Sequence, residues 1–281
     1  MKEHFIKVHE LPLCLCSWGR PEDPLLLLLH GFLDQGAAWS LVAEKLSEDG
    51  FRVVAPDARG HGRSGHIGIG GTYHFTDYLV DLEGILTHLG EAPVGLIGHS
   101  MGGTVASLYA GVRPDCAQNL VVVEGLGPVG DNHDTAVQRL ETHLNQLQKP
   151  PHHPVYEDSQ AAASRLTRFT PGIDPDLALS LAIRSTVSVE GGVQWSWDPR
   201  HRARFAMPFL LDRFMDAIAR IQLPTTLVYG DSSWYQSEDL PAREAALSYL
   251  VARKTLPGGH ALHHDAPQEL ARIIADACRT G

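Results

Sequence analysis

Short apolar runs alternate with helical stretches along the first 125 residues. Residues 25–29 are five consecutive leucines, a run typical of a strand buried on both faces of a parallel sheet. Further strands are predicted at residues 3–10, 11–18, 51–57, 93–100 and 119–125, and helices at 37–47, 76–89 and 101–112. This alternation indicates a mostly parallel sheet covered by helices on both faces.

The alternation stops between residues 126 and 223. That block predicts helices, separated by prolines, at residues 135–148, 159–169, 175–187 and 208–221. Strands then return at 225–230 and 252–256, with helices at 242–250 and 267–278. We therefore interpret 126–223 as a helical cap inserted into one core domain of residues 1–125 and 224–281. An independent domain is the alternative.

Composition and charge narrow the class of protein. The 281 residues carry a formal net charge of -10, which argues against a nucleic-acid partner and provides no basic patch for anionic lipid. The four cysteines have neither CxxC nor zinc spacing, and the polar amino terminus does not resemble a signal peptide. No apolar run is long enough to span a bilayer. We expect a soluble cytoplasmic protein, monomer or homodimer.

The strongest local motif is Gly98-His99-Ser100-Met101-Gly102, which lies between a predicted strand and a predicted helix. GxSxG in this context places a serine on a tight, strained turn, where its hydroxyl is exposed above the sheet. The backbone N–H of Met101 then points toward an oxyanion at a helix amino terminus. We therefore expect Ser100 to be a nucleophile, although a glycine-rich turn can also be a plain connection.

A candidate general base follows the last predicted strand. His260 comes after Gly258 and Gly259, in a loop at the carboxyl end of the sheet. There it could take the Ser100 proton and later deliver it to the leaving group. His263 and His264 are nearby competitors among 16 histidines.

Together these segments resemble the α/β-hydrolase superfamily over nearly the whole chain. The shared motifs are HGF at 30–32, DARGHGRSG at 57–65, GHSMGG at 98–103, and GGH with D-x-P at 258–267. Within it, GHSMGG and the segment 197–200 resemble the serine hydrolase-like group. The resemblance implies the α/β-hydrolase fold, with the cap inserted after the strand that ends at Glu124. It also implies an oxyanion hole from the backbone N–H groups of Phe32 and Met101. We interpret the loop 56–65 as structural support, with direct contact to the substrate as the alternative.

The acid of the triad departs from the common pattern. Most relatives carry it three residues beyond the glycine that closes the strand after the cap, where this chain has Ser233. Asp231 comes two residues early. Haloalkane dehalogenases instead carry a glutamate after the strand that follows the nucleophile helix, and Glu124, 24 residues after Ser100, resembles that arrangement. We expect Glu124 to be the acid and keep Asp231 as the alternative.

These parts predict a carboxylesterase-like serine hydrolase that forms an acyl-enzyme on Ser100, with no metal or cofactor. The substrate would be a small molecule with an apolar acyl or aryl group. Thioester, lactone and amide cleavage remain open, as do hydrolysis of a carbon–carbon bond in a dienone-type substrate and a ligand-binding role with little turnover. Cap aromatics could line the pocket or form the core of the cap, namely Trp195, Trp197, Phe205, Phe209 and Phe214.

Overall fold

The computed structural model describes residues 1–68, 70–128, 135–170, 172–204 and 206–279. A single eight-stranded sheet, in the order β1-β2-β4-β3-β5-β6-β9-β10, is the framework of these residues. The first three strands in that order pair antiparallel, and all later neighbours are parallel. The strands of the sheet are β1 Lys2–Val8, β2 Leu11–Trp18, β3 Leu25–Leu29, β4 Arg52–Pro56, β5 Gly95–His99, β6 Leu120–Val123, β9 Thr225–Gly230 and β10 Leu250–Leu256.

The unbroken run of five leucines forms the central strand β3, which is buried on both faces. All five of its leucines are buried. Successive side chains of a strand point to opposite faces, so Leu26 and Leu28 lie in one core and Leu25, Leu27 and Leu29 lie in the other. The sheet is therefore covered on both faces, as the sequence predicts.

Helices form the two covering layers. On one face α1 and α10 pack against each other, and on the other α2 packs against α3. The structure therefore confirms the predicted α/β-hydrolase fold, with a mostly parallel central sheet flanked by helices. The helices are α1 Ser40–Glu48, α2 Phe75–Leu89, α3 Met101–Val112, α4 Ala136–Gln148, α5 Ser159–Phe169, α6 Pro175–Ser185, α7 Leu211–Ile218, α8 Leu240–Ala246, α9 Leu262–Asp265 and α10 Pro267–Arg279.

The segment between β6 and β9 carries α4 to α7 and a hairpin that the sequence did not predict. Its strands, β7 Thr186–Val189 and β8 Gly192–Trp195, pair antiparallel. The predicted helix at 175–187 is therefore too long, because α6 ends at Ser185. Helix α7 packs against α3, and its Phe214 and Ile218 lie in the core on that face of the sheet. The division into core and cap domains stays a prediction.

Two further expectations concern membranes and thiols. Among the described helices, none has the length and apolar character needed to cross a bilayer. The four cysteines are free and buried.

Candidate active site

Ser100 lies at the junction between β5 and α3. Its backbone has φ 50° and ψ −115°, a conformation that costs energy for a residue with a side chain. The turn closes so tightly that a Cβ on Gly98 would come 2.3 Å from the carbonyl oxygen of Gly102, so glycine is required there. The Ser100 N–H donates to the carbonyl of Val123 on β6 at 2.9 Å. The neighbouring strand thereby holds this strained turn.

His260 lies in the loop between β10 and α9. Its side chain is 17% exposed, and its Nδ1 is 3.1 Å from Oε2 of Glu124. The ring of His99 donates from Nε2 to the backbone carbonyl of His260 at 2.8 Å. The ring of Trp234 covers the imidazole, with centroids 4.4 Å apart. Contacts to both the backbone and the ring of His260 therefore fix the position of its imidazole.

The Glu124 side chain is fully buried, and both oxygens of its carboxylate have polar partners. Oε1 accepts the N–H of Gly230 at 2.6 Å, and Oε2 accepts the hydroxyl of Ser233 while facing His260. The backbone of Glu124 has φ 52°, and its N–H donates to Val228 on β9. A buried carboxylate is costly without such partners, so these contacts compensate for its desolvation.

Asp231 is placed differently from Glu124. It is exposed, and its Oδ1 accepts hydrogen bonds from the Ser232 hydroxyl at 3.0 Å and the Gly258 N–H at 3.1 Å. The structure thus brings Glu124, and not Asp231, onto the His260 ring. Ser233 occupies the position where the family resemblance predicts the acid. Its hydroxyl donates to the Glu124 carboxylate, which in turn faces the His260 ring.

A cavity of about 220 Å³ opens beside Ser100. Phe32 and Met101, the residues predicted to provide the oxyanion hole, both line it. Met101 is the first residue of α3, so its N–H has no partner within the helix. The other lining residues are Phe75, Tyr78, Thr104, Gly127, Pro128, Trp234 and Tyr235.

None of the cap aromatics that the structure describes lines this cavity. Trp195, Trp197 and Phe214 are buried in hydrophobic cores. Phe209 packs on Phe75 at 5.4 Å, behind the lining, and Phe205 lies outside the described residues. Sequence reasoning missed four lining aromatics, and its only available signals were that two lie four and five residues after the end of β9 and two lie three residues apart on α2. These residues are Phe75, Tyr78, Trp234 and Tyr235.

Several histidines around the site are buried and uncharged. Burial lowers the pKa of His263 and of His264 to about 3 and that of His201 to about 4. Burial also holds the pKa of His99 well below its usual value. The site is therefore surrounded by neutral imidazoles at neutral pH.

We expect these histidines to make the protein sensitive to acid. The unfolded chain takes up protons below about pH 6.5 while the folded chain does not, so stability falls as the pH drops toward 4. Each of His201, His263 and His264 should cost about 1 kcal/mol between pH 7 and pH 5.5. Urea unfolding at the two pH values measures the loss. His264→Gln should reduce it, and exposed His88→Gln should leave it unchanged; equal losses in both variants would contradict this account.

Comparisons with known proteins bear on the fold and the family of this chain. The model of the alpha/beta hydrolase fold family matches residues 24–174. A serine hydrolase-like protein of Dictyostelium discoideum is 27% identical, over 92% of this chain and 76% of that protein. The mouse sn-1-specific diacylglycerol lipase ABHD11 is 29% identical, over 89% of this chain and 80% of that protein. The solved thioesterase domain from the curacin biosynthetic pathway is 40% identical with a TM-score of 0.90, covering 98% of this chain and 99% of that domain.

Proposed function

Because the chain belongs to the α/β-hydrolase superfamily of serine hydrolases, we propose that it cleaves a small carboxylic ester or thioester through an acyl-enzyme on Ser100. One observation carries the proposal: Nδ1 of His260 faces the buried carboxylate of Glu124 at 3.1 Å. That contact holds the proton on Nδ1 and leaves Nε2 free to accept one.

The reaction follows from these groups. Ser100 Oγ attacks the substrate carbonyl as its proton passes to Nε2 of His260, and Glu124 stabilises the resulting imidazolium. The backbone N–H groups of Phe32 and Met101 stabilise the oxyanion of the tetrahedral intermediate. His260 then protonates the departing alcohol or thiol, leaving the acyl group on Ser100. Water attacks this acyl-enzyme with His260 as base, which releases the acid and restores Ser100.

The cavity supports a small, uncharged acyl group. At about 220 Å³ it is smaller than the pockets that enclose drug-sized ligands. None of the described residues that line it is Lys, Arg, Asp or Glu, and most are aromatic or apolar. A short aliphatic or a single-ring aryl group would gain from burial against these side chains.

A thioester leaving group has a specific argument in its favour. The structure 40% identical to this chain, over nearly all of both chains, is a thioesterase domain. We therefore expect thioesters to be cleaved faster than oxygen esters of the same acyl group. Matched p-nitrophenyl esters and N-acetylcysteamine thioesters of two to eight carbons test this by their kcat/KM values. The opposite preference would leave the ester as the better assignment.

We expect Ser100→Ala to lower turnover at least about a thousandfold and to abolish labelling by a fluorophosphonate probe. The control is Ser47→Ala on α1, which should keep both. Far-ultraviolet circular dichroism checks that each variant is folded. Tight ligand binding by a wild-type protein that is neither labelled nor active would favour a binding role, and cleavage of a dienone-type substrate alone would favour carbon–carbon hydrolysis.

A further inference from the structure

Two segments of the chain that flank the proposed reaction centre meet at a cluster of three side chains. Asp34 lies in the segment after β3, and His263 and His264 lie on α9. One ligand atom from each residue lies within 4.8 Å of the others. Nε2 of His263 is 3.4 Å from Oδ2 of Asp34, without a hydrogen bond between them among the described residues.

The two imidazoles are in the state that binds metal. His263 is 2% exposed, and burial lowers its pKa and that of His264 to about 3, so both rings are neutral at physiological pH. Nδ1 of His264 is buried with no hydrogen-bond partner in the described part of the chain, and His263 faces Asp34 with its Nε2. A buried nitrogen without a partner needs an explanation, and a bound cation is one.

We propose that Asp34, His263 and His264 form a binding site for a zinc-class divalent transition metal, and that metal binding there inhibits hydrolysis. Two imidazoles and one carboxylate are donors that zinc accepts, with a fourth position for water. The Asp34 side chain is 25% exposed, which gives the ion a path from solvent. The binding part of this inference is independent of the proposed function, and only the inhibition depends on it.

Metal binding would require movement. Donor atoms around a tetrahedral zinc lie roughly 3.4 Å apart at the usual bond lengths, whereas these atoms spread over as much as 4.8 Å. The Nε2–Oδ2 pair of His263 and Asp34 already has that separation, so the ring of His264 is the donor that must move inward, by about 1 Å.

A shift of α9 or of Asp34 on metal binding would reach the reacting groups. Asp34 is two residues beyond Phe32, and its N–H donates to the carbonyl of Gly31. On the other side, the His99 ring lies between those of His263 and His260, with centroids 4.6 and 4.8 Å away. Since a misplacement of 1 Å can cost about a hundredfold in rate, metal binding should slow turnover.

The experiment uses the full chain with Zn²⁺ and Co²⁺ as probes. Co²⁺ absorption in the visible range reports binding without reference to activity. We expect one site per chain, weakened at least about tenfold by Asp34→Asn or His264→Gln, because losing even an outer partner of a metal ligand costs that much. The control His88→Gln removes an exposed histidine on α2 and should bind as the wild type does. Saturating Zn²⁺ should lower ester turnover at least tenfold in the wild type and the control, but not in His264→Gln.

Two results would overturn the proposal. One is Co²⁺ binding that survives both ligand variants and disappears in His260→Ala, since the metal would then sit on the reacting histidine. The other is an absence of Co²⁺ or Zn²⁺ binding at millimolar concentration. If the wild type neither turns over esters nor reacts with fluorophosphonate, the proposed function fails, while the Co²⁺ titration still decides the metal site.

Discussion

Glu124→Gln should lower kcat for ester hydrolysis by about 10³- to 10⁴-fold, whereas Asp231→Asn should change it by less than about twofold. A glutamine at 124 keeps the shape of the side chain but loses the negative charge. Its amide N–H₂ can donate toward Nδ1, which would favour the wrong tautomer of His260 and would no longer stabilise the imidazolium. Asp231 is exposed and bonded to Ser232 and Gly258, so its charge contributes little at the ring.

Steady-state kinetics of the two variants with one p-nitrophenyl ester measure this difference. A large loss in Asp231→Asn together with a mild one in Glu124→Gln would transfer the role to Asp231.

Ser233 offers a sharper version of the same test. Its hydroxyl donates to the Glu124 carboxylate from the position where most relatives carry their acid. Adding Ser233→Asp to Glu124→Gln should therefore recover at least tenfold of the lost kcat, since a carboxylate at 233 can approach Nδ1 from the loop that follows β9. Ser233→Ala in the same background is the matched control and should recover nothing.

The contrast between Glu124 and Ser233 shows how far sequence reasoning reaches into this site. Glu124 could be nominated because it ends an apolar strand at a spacing that resembles one known arrangement. The contact of Ser233 could not, because it depends on the register of β6 against β9, which pairs Val123 with Val228 and so brings the ends of both strands together. Register between distant strands is set by packing across the sheet and not by local pattern.

The same distinction holds for the fold. Nearly unbroken runs of small or apolar residues, such as β3 and α3, could be predicted because the burial of most of their side chains leaves a direct record in the sequence. The hairpin of β7 and β8 has four-residue strands of mostly exposed or half-buried residues, so it leaves no such record. Sequence reasoning also could not decide whether the cap tryptophans lie in a hydrophobic core or line the pocket, because aromatic residues are common in both places.

Arg184 connects the cap segment to the sheet through ion pairs that the sequence did not reveal. It belongs to α6, its side chain is 9% exposed, and it reaches Asp57 at 2.8 Å and Glu3 at 2.6 Å. Asp57 is fully buried and also accepts the backbone N–H groups of Gly36 and Arg63, as expected for a structural loop at 56–65. Burial opposes the charge of the guanidinium, but its partners together, Asp57 first and then Glu3, outweigh burial and raise the pKa of Arg184.

Arg184→Met should therefore lower the free energy of unfolding by about 3–5 kcal/mol, because it removes one partner of a buried ion pair and leaves the Asp57 charge uncompensated. Arg184→Lys should recover only part of this, since an ammonium cannot reach Asp57, Glu3 and Gln35 together as the guanidinium does. Urea unfolding monitored by tryptophan fluorescence gives the values, and exposed Arg168→Met on α5 should stay within about 0.5 kcal/mol of the wild type.

Adding Asp57→Asn to Arg184→Met should cost less than the sum of the two single changes, because the charge that the arginine compensated is then gone. Strict additivity, or a loss below 1 kcal/mol in Arg184→Met, would mean that solvent reaches the pair and that apolar packing alone holds α6 to the sheet.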